Sequence, residues 1–110
     1  MASGANGGTK VMTVKDMEDL LTRLKRMKPE MLARYKAKEI GLFGSFVRGE
    51  QSEDSDIDVL VEFEEGADLF DLTGLATLLE ETLRRKVDVV PKNALRAELR
   101  ESVLHEVVTL

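Results

Sequence analysis

Asp56 and Asp58 flank a single isoleucine at the head of the run Asp56-Ile57-Asp58-Val59-Leu60-Val61-Glu62-Phe63, and ten residues separate them from the pair Gly44-Ser45. Apolar and polar residues alternate at the start of that run, with Ile57, Val59, Val61 and Phe63 on one side, which predicts a half-buried strand. Side chains at i and i+2 share a strand face, so Asp56 and Asp58 project together with their backbones about 7 Å apart. Their carboxylates can then converge on two cations about 3.5–4 Å apart. Hard oxygen donors of this kind suit Mg²⁺, which completes its octahedron with waters and substrate phosphates. The chemistry implied is metal-assisted reaction of a nucleoside triphosphate.

The second half of the pattern closes the apolar run Ala37-Lys38-Glu39-Ile40-Gly41-Leu42-Phe43, a predicted strand leading into Gly44. Glycine accepts a positive φ and lets a ligand approach the main chain, while the N–H groups that follow and the Ser45 hydroxyl can cradle phosphate oxygens. A helical turn over Phe46 to Gly49 would add the favourable partial charge of a helix N-terminus. Arg48 has two readings: a bidentate phosphate grip, or a lock on the acidic loop through Glu50 and Asp54. Taken singly, a Gly-Ser after a strand is an ordinary turn and an Asp-x-Asp an ordinary solvated strand end. Their order and spacing make the combination specific.

These residues, Gly44-Ser45-Phe46-Val47-Arg48-Gly49-Glu50 through Ser55-Asp56-Ile57-Asp58-Val59-Leu60-Val61, resemble the signature of the DNA polymerase beta superfamily. More narrowly, the chain is similar to the minimal nucleotidyltransferases, the antitoxin partners of HEPN-domain toxins, over roughly residues 12 to 110. Val47 stands where alanine is frequent, a departure without catalytic weight. The resemblance implies a third metal-binding carboxylate on a later strand, a place filled by Asp88 in Val87-Asp88-Val89-Val90. Read from the residues alone, Asp88 could instead end its strand or pair with Arg84, Arg85 or Lys86. The resemblance further implies a small mixed sheet of three to four strands packed against helices, with the three aspartates meeting at one end. It implies two Mg²⁺ ions held by Asp56, Asp58 and Asp88, a triphosphate positioned by Gly44 and Ser45, with Arg48 as a further nucleotide-binding candidate, and AMP passing from ATP to a tyrosine hydroxyl of a HEPN toxin. Two alternatives stay open: a non-catalytic antitoxin that acts by binding, and a small-molecule (antibiotic) nucleotidyltransferase, which would need an acceptor pocket.

The 110 residues are 43% hydrophobic, enough for one modest core. We expect a single domain over residues 11–110 after a disordered lead, residues 1–10, rich in Gly, Ala, Ser and Asn. The chain has no cysteine, which excludes a disulfide framework and a thiolate zinc site. No long apolar run is present, so a soluble, cytoplasmic protein without membrane contact is expected. A net charge of −5 conceals a net +5 over residues 1–48, −12 over 49–81 and +2 over 82–110. The anionic middle argues against nonspecific nucleic-acid binding, which needs clustered Lys and Arg, and would suit a basic protein partner.

The elements that must position these residues alternate between helix and strand. Thr13 and Asp16 suggest a capping box, and Val14, Met17, Leu20, Leu21, Leu24 and Met27 recur at helical spacing. Pro29 is expected to open a second short helix to about Lys36. Beyond the second strand, Gly66-Ala67-Asp68 leads into a helix with a core stripe of Leu69, Leu72, Leu75, Leu79 and Leu83. Gly74 inside it costs about 1 kcal/mol relative to alanine, which points to close packing or tolerance. Strand three, Lys86 to Val90, ends at Pro91, and Asn93 is expected to cap a last helix carrying Leu95, Leu99 and Val103. His105, the single histidine, is expected at the surface near that helix's end.

Overall fold

Helix α1, Val14–Tyr35, buries Leu20, Leu24 and Met31 along one face, and each such side chain contributes about 1.5–3 kcal/mol when fully withdrawn from water. The computed structural model describes residues 14–49 and 56–110. The lead 1–10, Thr13 of the expected capping box, and Glu50 to Ser55 lie outside the described residues. The break expected at Pro29 does not occur, because α1 runs through it. A proline inside a helix costs about 3 kcal/mol, but buried Leu24 before it and Met31 after it pack into the same core. Burial on both sides offsets the lost hydrogen bond.

Strand β1, Ala37–Phe43, is followed by the four-residue helix α2, Ser45–Arg48, and strand β2, Ile57–Phe63. Helix α3, Leu69–Leu83, crosses to strand β3, Val87–Pro91. A 3₁₀ turn at Lys92–Ala94 then leads to helix α4, Ala97–Glu106, and the two-residue strand β4, Val108–Thr109. The four strands form one sheet in the order β3-β2-β1-β4, with β2 and β3 parallel and β1 antiparallel to both β2 and β4. The architecture is the expected mixed α+β sheet, packed against helices.

The period-2 pattern sorts the two faces of the sheet. Ile40, Leu42, Ile57, Val59 and Val61 are buried in one core with Leu75, Leu79 and Leu83 of α3 and the α1 leucines. Asp68 caps α3 reciprocally with Asp71, a capping box that fixes the helix start. The leucine stripe begins deeper than its spacing suggests, since Leu69 is 72% exposed. Asn93 caps nothing. The tight turn closes with the Leu95 N–H donating to Lys92 O, residues 95 and 96 are extended, and α4 starts only at Ala97.

Close packing explains Gly74. A Cβ there would lie 2.5 Å from Cε1 and 3.1 Å from Cδ1 of Tyr35, the last residue of α1. Gly74→Ala gains up to about 1 kcal/mol in helix propensity, but overpacking costs about 1–3 kcal/mol. We expect a net loss of about 1 kcal/mol, seen as a lower urea midpoint with an unchanged slope. An unchanged or higher midpoint would mean that Tyr35 swings aside freely.

Candidate active site

The ladder hydrogen bonds bring the acidic positions together. Asp58 stands opposite Phe43 across the β1–β2 pair and opposite Asp88 across the parallel β2–β3 pair. Directly paired residues share a face, so Asp58 and Asp88 lie side by side on the sheet face away from the α1/α3 core. Asp56 precedes β2 and is exposed, as is Asp88, while Asp58 is half-buried. Burial pushes the Asp58 carboxyl above its ordinary range, neighbouring Asp88 and Asp56 push it further, and Arg48 pulls the other way. Among the described residues no three carboxylate, histidine or cysteine groups form a finished metal cage. The donor chemistry nonetheless fits a hard divalent cation, which would relieve the repulsion felt by Asp58, with ligand oxygens completing its shell.

Gly44 turns the chain from β1 into α2 with φ +82°, and a Cβ there would run into the Asp58 carboxylate, lying 3.1 Å from its Cγ. The Gly44 carbonyl accepts from the N–H groups of Val47 and Arg48, both at 3.1 Å. That leaves the N–H groups of Ser45 and Phe46 as the donors at the start of α2 with no partner inside the helix. The side chain of Ser45 is outside what the structure describes.

Sequence reasoning missed Glu106. The last residue of α4 accepts a 2.6 Å hydrogen bond from the Gly44 N–H through Oε2, and Nη1 of Arg48 lies 3.3 Å from both of its carboxylate oxygens. The partners considered for Arg48, Glu50 and Asp54, lie outside the described residues. Phe43, Gly44, Arg48 and Asp58 line a cavity of about 400 Å³ with Leu99, Ser102, Val103 and Glu106 of α4. No local signal marks Glu106, which reaches Gly44 across 62 positions of sequence. His105 is exposed in the last turn of α4, as expected.

The anionic middle of the chain is divided. Glu64 and Glu65 follow the far end of β2, about 20 Å along the strand from Asp58, so they do not border the carboxylates. A second cavity, of about 670 Å³, lies at that far end.

A mixed sheet that sets strand carboxylates beside a glycine turn and a short helix places the chain in the class of small nucleotidyltransferase folds. The profile of the nucleotidyltransferase domain matches residues 24–110, and the chain belongs to that family. The protein adenylyltransferase MntA of Thermococcus cleftensis is 43% identical over 98 residues, spanning 89% of this chain and 96% of its own. A Methanocaldococcus jannaschii protein with a provisional assignment as a protein adenylyltransferase is 42% identical over 88 residues, spanning 80% and 95%. Among solved structures, a chain provisionally assigned as a minimal nucleotidyltransferase superposes with a TM-score of 0.75 at 42% identity, covering 86% of this chain and 95% of that one. A chain from a toxin–antitoxin complex with AMP-PNP gives a TM-score of 0.63 at 28% identity, covering 77% and 70%.

Proposed function

We propose that the protein is a Mg²⁺-dependent adenylyltransferase that moves AMP from ATP onto a tyrosine hydroxyl of a HEPN-type toxin in the cytoplasm, silencing the toxin as its antitoxin. The observation that carries the reading is the register of Asp58 beside Asp88, directly against the Gly44 turn. Asp56, Asp58 and Asp88 would hold the metal, which when bound neutralises phosphate charge and polarises the phosphorus centre. Gly44, having no Cβ, leaves room for phosphate oxygens, the N–H groups of Ser45 and Phe46 would donate to them, and Arg48 would pair with their charge. Asp88, exposed beside the half-buried Asp58, would help take the proton of the attacking hydroxyl. Catalysis of this kind is mostly positioning and charge stabilisation. The MntA relative, named a protein adenylyltransferase, and the related toxin–antitoxin complex with AMP-PNP support a protein acceptor. The choice of a HEPN toxin rests on the motif resemblance.

Incubating the chain with ATP labelled in its α-phosphate, Mg²⁺ and a HEPN-type toxin should label the toxin, and changing its acceptor tyrosine to phenylalanine should remove the label. A toxin that is bound and inhibited but unlabelled would make the protein a non-catalytic antitoxin. Label passing only to an antibiotic would make it a small-molecule transferase. Ligand linkage gives a second check. At about 100 times the dissociation constant, ATP with Mg²⁺ should stabilise the fold by about 2.7 kcal/mol, and more than either alone because the triphosphate supplies metal ligands. Melting curves with no shift at millimolar concentrations of both would sink the nucleotide-site reading.

A further inference from the structure

We propose that Glu106 acts as a built-in occupant of the phosphate grip, so that nucleotide enters by exchanging a phosphate oxygen for its carboxylate. The inference rests on the nucleotide reading above and adds to it a residue that sets triphosphate affinity. The Glu106 carboxylate is an anion with planar oxygens, and it already holds the Gly44 N–H at 2.6 Å and sits 3.3 Å from Arg48 through both oxygens. One backbone N–H and one guanidinium are the groups a phosphate would recruit there. A carboxylate and a phosphate oxygen cannot share the single Gly44 N–H, and the negative Glu106 beside Asp58 opposes an incoming polyanion.

The exchange needs no unfolding of the C-terminal segment. Beyond Glu106 the chain stays anchored, since the Leu110 N–H donates to Ile40 O at 2.9 Å and Lys28 Nζ donates to Leu110 O at 2.7 Å. Rotation of the Glu106 side chain, which lies at the edge of the 400 Å³ cavity, vacates the position. A ligand with several phosphates compensates the lost ion pair through the Arg48 guanidinium, whereas an uncharged nucleoside gains nothing from the exchange.

Binding of ATP with Mg²⁺, of inorganic tripolyphosphate without metal, and of adenosine should be measured by calorimetry on the full chain. Glu106→Gln keeps the acceptor oxygen and removes the charge, and should tighten both polyphosphates about fivefold, the size expected for a partly exposed charge pair, while leaving adenosine unchanged. Equal or weaker polyphosphate binding by a folded Glu106→Gln would overturn the exchange and make Glu106 a structural brace. The unmodified chain gives an independent reading: tripolyphosphate should shift the Gly44 amide resonance as its acceptor changes, and an unmoved Gly44 signal at saturation sinks the proposal even if the variant fails to fold. Wild type that binds ATP with no gain in the variant refutes the exchange alone. A chain that binds polyphosphate in neither form refutes the nucleotide reading and the exchange with it.

Discussion

Replacing Asp58 with asparagine is expected to lower nucleotidyl transfer by at least about 1,000-fold, the rate equivalent of several kcal/mol of lost metal-ion stabilisation, while the metal-free chain melts no lower than before. Asp58 is half-buried, and its carboxyl is pushed up by burial and by Asp88 and Asp56. A carboxyl whose folded value lies above its unfolded value weighs against the folded state wherever it is ionised. That penalty is present above the raised value, fades as pH falls through it, and is gone below the ordinary value of 3.8. Asp58→Asn removes it, so the variant's stability advantage should be largest near pH 7 and shrink towards zero near pH 4. Melting curves across that range check the sign. A variant that is less stable at pH 7 would make Asp58 a structural support.

Gly44→Ala should fail for a different reason. Its φ of +82° costs an L-residue about 1–2 kcal/mol, and the new methyl group would meet the Asp58 carboxylate. Since the obstacle is the end of a side chain, Asp58 can turn away, and the larger consequence is a displaced carboxylate. We expect transfer to fall about 100-fold, as for a misplacement of about 1 Å. Gly49→Ala separates the two effects: Gly49 has φ +77° but nothing within 4 Å of its would-be Cβ. It should lose similar stability in urea and retain transfer. Equal losses of transfer in both variants would show that backbone strain alone is responsible.

Much of this site was legible because its signals are local. Strand alternation predicts Asp56 and Asp58 on one side, although β2 begins only at Ile57 and Asp56 stands just before it, and Gly44 followed an apolar run with the turn chemistry that only glycine supplies cheaply. The third carboxylate came from resemblance, since an Asp88 amid valines is equally a strand end until the β2–β3 register places it opposite Asp58. The Pro29 break misled because propensity is a local cost, whereas Leu24 and Met31 fall into one core only when α1 meets the sheet. Glu106 carried no signal at all. It closes one helix and reaches Gly44 through a strand of two residues, too short to show a period.

That two-residue strand also bears on how the molecule behaves in a crowded solution. An unpaired strand edge is a template onto which another chain can add, and β1 would present such an edge on the side away from β2. Pairing of Gly41 with Thr109 and of Leu42 with Val108, together with the bond from Leu110 to Ile40, covers its apolar half. Lys38 and Glu39, both exposed, mark the uncovered half with charge, a common deterrent to edge-to-edge growth. Residues 108–110 therefore act as a colloidal safeguard, and lifting them from β1 would turn this flank of the sheet into a nucleus for aggregation.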